Sequence, residues 1–148
     1  MIAGFALSEP DAGSDVAAMN SKAFSTTEGW KVNGEKSWIS NGGIADYYTL
    51  FAKTSDQPGS GGFSAFLLKA DNPGLSIVER QEVMAPHPLA RLQLKDAELS
   101  HQALLGEEGK GFGIAMATLS IFRPTVGAAA LGFARRALDE ILHYSGNR

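Results

Sequence analysis

Two stretches of the 148-residue chain carry residue types that could do chemistry at useful spacing. The first is Leu7-Ser8-Glu9-Pro10-Asp11-Ala12-Gly13-Ser14-Asp15. A strand stopped by a proline runs into a tight Asp-Ala-Gly-Ser turn, whose small residues and backbone N–H groups could cradle an anion such as a phosphate. The same residues also suit an Asx turn with no ligand. The second is Trp38-Ile39-Ser40-Asn41-Gly42-Gly43. Alternation along a strand puts Trp38 and Ser40 on one face just before a glycine-rich turn. An indole there can lie against a flat aromatic ligand while the hydroxyl donates to it. The competing reading is a core tryptophan with its indole N–H satisfied.

Other features carry less. His87, His101 and His143 stand apart, without metal-ligand spacing, and read as structural or exposed. Gly109-Lys110-Gly111-Phe112-Gly113 follows a loop rather than a strand and lacks the final glycine of a dinucleotide fingerprint. Arg135-Arg136 reads as a solvated helix edge. No metal site is expected.

These residues must be positioned by the elements around them, and the chain changes character near Gly106. Before it, short β-prone runs alternate with turn signals. Ser21–Thr27 and Trp30–Asn33 flank Glu28-Gly29, and Asn33-Gly34 reads as a second tight hairpin leading into Glu35–Ser40. Tyr47–Lys53, Phe63–Lys69, Leu75–Val83 and Ala90–Ala97 follow, with a Ser/Gly-rich loop at 55–62. Short strands at this spacing predict an antiparallel barrel or sandwich. After Gly106 the period is helical: Phe112, Ala115, Met116, Leu119, Val126, Ala130, Phe133, Ala137 and Ile141 recur at three- or four-residue steps. Pro124 should kink that helix by removing the bond to the carbonyl of Ser120. A helix apolar on several sides wants partner helices. The expected fold is therefore mainly β, with a barrel or sandwich over 1–105 and the start of an incomplete helical bundle over 106–148.

Composition narrows the function. A net charge of −3 argues against a nucleic-acid partner, which needs clustered Lys and Arg. The chain has no cysteine, which excludes thiolate chemistry. No apolar run approaches ~18 residues, so no transmembrane helix is expected. The first residues, Met1 to Phe5, lack the basic start of a signal peptide.

With both motifs in view, the chain resembles the acyl-CoA dehydrogenase family. Leu7-Ser8-Glu9-Pro10 through Ser14-Asp15, then Gly34-Glu35-Lys36-Ser37-Trp38-Ile39-Ser40-Asn41-Gly42-Gly43, is similar to the family's paired signature. Leu104-Leu105-Gly106, Gly109-Lys110-Gly111-Phe112, Arg123-Pro124 and Ala137-Leu138-Asp139 follow in the family's order. The resemblance implies the middle β-domain and the first helix of the C-terminal four-helix domain of a flavoenzyme. It implies FAD as cofactor and an acyl-CoA thioester as substrate. An electron-transfer partner, a homo-oligomer, and a location in the bacterial cytoplasm or mitochondrial matrix are implied too.

By the same resemblance, the main chain at Phe5 and Leu7 and the Ser8 hydroxyl meet the flavin pyrimidine edge. Ser14 lies near the pyrophosphate and the acyl-CoA. Trp38 covers the flavin ring, Ser40 reaches toward N5, and Arg123 lies near the CoA end. Arg148 reaches a neighbouring subunit's FAD. Hydride arriving at N5 leaves negative charge that preorganised donors stabilise. The family's catalytic glutamate sits in later helices or just before the arginine matched by Arg123; here that position is Phe122. No catalytic base is expected in this chain. Two departures bear on the pocket. Ser120 replaces a frequent acidic residue, and Met84–Arg91 is shorter than the family's pattern. Two other readings stay open: an acyl-CoA oxidase or flavin-dependent monooxygenase on the same scaffold, and a non-catalytic β-barrel interaction module.

Overall fold

A computed structural model describes residues 1–57 and 59–147. The strands are β1 (Ala3–Ala6), β2 (Lys22–Thr26), β3 (Gly29–Ser40), β4 (Tyr47–Lys53), β5 (Phe63–Lys69), β6 (Leu75–Gln81), β7 (Leu89–Ser100) and β8 (Leu104–Leu105), followed by the helix α1 (Gly111–Gly146). Among the described residues they form one sheet in the order β6-β7-β3-β2-β4-β5-β8, with β1 added on β4.

The expected strands are present, and most pairings are antiparallel. Two are not. β1 runs parallel to β4, from Ala3 opposite Tyr47 to Ala6 opposite Leu50, and β2 meets β4 in parallel at Lys22 and Lys53. The sheet is therefore mixed. The link from β1 to β2 through residues 7–21, and the passage of β3 between β2 and β4, give the chain the length that these parallel pairings need.

One expected hairpin is absent. Asn33-Gly34 is no turn: β3 continues straight through it, paired with β7, with a register shift between Val32 and Gly34. Gly34 instead permits close approach. Its φ is +154°, and a Cβ there would sit 2.5 Å from Ser21 Cβ. The glycine serves the crossing of a neighbouring segment, which local sequence cannot reveal.

Alternation along the strands builds the core. Val32 and Ile39 of β3, Leu50 and Ala52 of β4, Phe66 and Leu68 of β5, and Ala90, Leu92 and Leu94 of β7 are all buried in one cluster. Trp30 on β3 meets Phe66 on β5 edge-to-face at 5.3 Å, although two strands lie between them in the sheet. The sheet therefore curls over its own inner face.

The start of α1 is tied to β5. The Gly109 N–H donates to Ser64 Oγ at 2.8 Å, and Ser64 Oγ shares a second bond of 2.8 Å with Thr54 Oγ1. Phe112 lies edge-on to Phe63 at 6.0 Å. The chain divides into compact units at 1–114 and 115–148. The helix runs unbroken through Pro124, where the Thr125 hydroxyl donates to the Phe122 carbonyl at 2.7 Å. Ile121, Phe122, Val126, Phe133, Leu138 and Ile141 are all exposed. Short unbroken runs understate this helix: with isolated charges tolerated, its best window has a mean hydropathy of 1.4, so it is long and apolar enough to cross a membrane by length and composition.

One polar cluster lies inside the first unit. Lys36, fully buried, sets its ammonium 2.7 Å from Glu9 Oε1 and donates to the Leu7 carbonyl at 3.1 Å. Glu9, also buried, accepts the backbone N–H groups of Asn20 and Ser21. Burial pushes the Glu9 carboxyl upward, but the Lys36 charge and these hydrogen bonds outweigh it and hold it below the ordinary 4.5. Burial lowers the Lys36 ammonium to about 8 against the opposing pull of Glu9.

Removing one partner of a buried pair leaves an uncompensated charge, typically at a cost of about 3–5 kcal/mol. Lys36→Met should therefore lower stability at pH 7 by that order in urea unfolding followed by Trp30 fluorescence. The folded-state pKa of Glu9 is depressed, so its contribution is present above about 4.5 and is lost as pH falls through the folded value. The gap between parent and variant should accordingly narrow in acid. An unchanged midpoint at pH 7 would show that the pair does not hold this region.

Candidate functional site

The two chemical motifs lie about thirty residues apart in the chain, and three hydrogen bonds to main-chain carbonyls, beside the Lys36–Glu9 pair, join their segments in space. The Ser37 N–H donates to the Ser8 carbonyl at 2.9 Å, Lys36 Nζ to the Leu7 carbonyl at 3.1 Å, and Asn41 Nδ2 to the Ala3 carbonyl at 2.9 Å. Residues 3–8 are thereby laid along residues 36–41.

The first motif starts where β1 ends. Phe5 is half-buried and meets Phe51 edge-on, with ring centroids 5.0 Å apart. Leu7 is buried and Ser8 half-buried. Glu9 and Ala12 exchange backbone hydrogen bonds of 3.0 and 3.2 Å, so Pro10 and Asp11 form a tight turn. Ser14 is exposed just beyond it, next to Gly13, whose Cβ position faces open space.

The second motif departs from a regular strand. A register shift separates Lys36 from Ile39 in the pairing of β3 with β7, and Trp38 within it has a φ of +60°. A left-handed backbone costs a non-glycine residue about 1–2 kcal/mol. Gln81 at the end of β6 holds this bulge: its Oε1 accepts the Trp38 N–H at 2.8 Å, and its Nε2 donates to Ser37 Oγ at 3.2 Å. Trp38 is 58% exposed, so the alternative reading of it as a core tryptophan with a satisfied indole N–H does not hold.

Ser40, the last residue of β3, is exposed, and its hydroxyl lies 2.9 Å from His87 Nε2. Asn41 follows at φ +62°, with its N–H on the Pro88 carbonyl at 2.8 Å. The turn then closes with the Gly43 N–H donating to the Tyr48 hydroxyl at 3.0 Å.

Phe5, Leu7, Ser8, Trp38 and Ser40 thus belong to one locale within the first unit. Arg123 is exposed on α1 in the second unit. Arg148 lies outside the described residues. A cleft of about 600 Å³ near Leu67, Asp71 and Gln102 contains none of the expected site residues. Among the described residues, no three His, Cys, Asp or Glu side chains gather as a metal site.

Sequence reasoning missed Lys36, Gln81 and His87. Lys36 stands inside the Gly34–Gly43 signature, but its spacing assigns it no buried partner. Gln81 and His87 reach the site only through the pairing of β6 with β7, which periodicity does not specify.

Residues 4–97 match the family model described as acyl-CoA dehydrogenase, middle domain, and residues 109–148 match acyl-CoA dehydrogenase, C-terminal domain. The chain belongs to the acyl-CoA dehydrogenase family. The probable acyl-CoA dehydrogenase FadE25 of Mycobacterium tuberculosis is 39% identical over 99% of this chain and 38% of its own length. The structure of butyryl-CoA dehydrogenase from Megasphaera elsdenii superposes with a TM-score of 0.90 at 38% identity, covering 99% of this chain and 39% of that one. The FAD complex of PigA superposes with a TM-score of 0.73 at 35% identity, covering 76% and 30%. The chain thus spans about two fifths of the length of the M. tuberculosis relative and of the butyryl-CoA dehydrogenase.

Family membership accounts for the helix as well: α1 falls within the C-terminal domain match, where its apolar circumference suits a helical bundle.

The φ of Trp38 makes a direct test. Both Trp38→Gly and Trp38→Ala discard the indole, but only glycine enters the left-handed region freely. Trp38→Gly should be the more stable by about 1 kcal/mol in chemical denaturation. Inside a regular strand the order would be reversed, and that outcome would place Trp38 in ordinary β geometry.

Proposed function

We propose that the chain supplies the flavin-facing surface of an FAD-dependent acyl-CoA dehydrogenase that forms an α,β-double bond in an acyl-CoA thioester. The joining of the two motifs carries this reading: the Ser37-to-Ser8 and Asn41-to-Ala3 bonds put a backbone edge, an exposed indole and an exposed hydroxyl on one unit. A strand has no packing need for an exposed tryptophan in a costly backbone conformation. Such strain persists where a ligand uses it.

FAD, when bound, supplies the two-electron acceptor. Trp38 offers an apolar face that covers a flat ring and excludes water from it. The Ser40 hydroxyl offers a donor toward N5, where charge changes during the reaction. The main chain at Phe5 and Leu7, with the Ser8 hydroxyl, faces the pyrimidine edge. Ser14, exposed beside an open glycine turn, suits the pyrophosphate and the thioester's CoA portion. Arg123 and Arg148 supply positive charge for phosphates, the latter across a subunit boundary. By the family resemblance, the base that takes the α-proton belongs to later C-terminal helices or to the position that Phe122 fills here, so we assign it to no residue of this chain. Electrons then leave to a separate electron-transfer protein, and the working assembly is a homo-oligomer.

In the full-length enzyme, Trp38→Ala should weaken FAD retention, read as flavin lost on dialysis. Ser40→Ala should slow flavin reduction by about 10²–10³-fold if its hydroxyl is well aligned with the developing charge. Parent-like retention and reduction in both variants would remove these residues from the flavin site.

A further inference from the structure

The segment joining β6 to β7 contributes two polar side chains to the second motif, and the proposal concerns the one without a backbone duty. Gln81 bonds the Trp38 main chain and so maintains the bulge. Among the described residues, the His87 side chain bonds the Ser40 hydroxyl alone, through Nε2 at 2.9 Å. That bond does little for folding, because two exposed groups exchange it for water at small net cost.

The position of His87 is nevertheless tightly prepared. Prolines stand on both sides, at 86 and 88, and a following proline confines the His87 backbone to extended conformations. The His87 N–H donates to the Ala85 carbonyl at 2.8 Å, and the Pro88 carbonyl accepts the Asn41 N–H at 2.8 Å. Leu89, two residues on, pairs directly with Ser40. The loop is pinned to the strand end just after the imidazole, at Pro88 and Leu89, and the His87 N–H bond to Ala85 tightens it just before.

A serine hydroxyl has one proton and two lone pairs. If the imidazole accepts that proton, Ser40 cannot donate it elsewhere. If Nε2–H donates, the imidazole fills a lone pair, and the hydroxyl proton must point to a different acceptor. We propose that His87 is a positioning residue: it donates from Nε2 to Ser40 Oγ and thereby aims the Ser40 proton at the flavin. This rests on the flavin reading of Ser40 given above. The arrangement resembles other second partners that orient a functional hydroxyl or imidazole by filling its remaining hydrogen-bond site.

The test uses the full-length holoenzyme and needs no knowledge of the acyl substrate. Parent, Ser40→Ala, His87→Ala and the double variant are each equilibrated with a redox dye of known potential, and the bound flavin's reduction equilibrium is read from its visible spectrum. His87→Ala should shift that equilibrium about tenfold in the direction of Ser40→Ala, the scale of one oriented hydrogen bond. His87→Gln, whose amide N–H can replace Nε2–H, should restore most of the shift. In the Ser40→Ala background, His87→Ala should add nothing. If His87→Ala releases the flavin, His87→Phe, which fills the loop without donating, is read in its place.

A Ser40→Ala shift with His87→Ala silent, or with equal His87→Ala shifts in both backgrounds, would overturn the His87 assignment alone. A silent Ser40→Ala would overturn it together with the flavin reading of Ser40.

Discussion

The buried contact between Lys36 and Glu9 is the constraint on which the rest of the first unit depends. Lys36 belongs to the second motif and Glu9 to the first. Their 2.7 Å pairing locks two distant pieces of chain into one register. The ammonium also holds the Leu7 carbonyl, and the carboxylate caps two N–H groups where the chain turns toward β2. A hydrophobic pair could fill the same volume. It could not satisfy the carbonyl and the two amides, and an unpaired buried amide is costly. Its role here is specification of a polar chain crossing more than a gain in stability.

With that crossing set, the placement of the candidate site residues Trp38 and Ser40 follows. Ser37 pairs with Ser8, so the strand cannot continue its regular register against β7 and bulges at Trp38. The bulge turns the indole outward, and Ser40 follows at the strand end. Bulges re-aim side chains in this way at many sites. The cost of the left-handed Trp38 backbone is offset locally by Gln81, whose amide accepts the Trp38 N–H and donates to the Ser37 hydroxyl within the bulge.

Much of this was legible in the sequence. Alternation located the strands, the change of period located α1, and the two motifs named Ser8, Ser14, Trp38 and Ser40 as residues to watch. What sequence could not convey were effects of crossing chains. Asn33-Gly34 has the composition of a hairpin turn, yet its glycine makes room for Ser21. Lys36 has the composition of a surface residue, yet lies at the centre of the crossing. His87 has no ligand-like spacing along the chain, because its partner Ser40 ends the neighbouring strand, forty-seven residues away in sequence. Each error has one physical origin: local composition records what a residue can do, while its neighbours in space decide what it does.

The most direct measurement is a crystal structure of the full-length enzyme with FAD bound. The account predicts the flavin ring against the Trp38 indole, with the Ser40 hydroxyl in hydrogen-bond distance of N5 and residues 5–8 along the pyrimidine edge. A flavin seated elsewhere, with Trp38 and Ser40 still open to solvent, would contradict it.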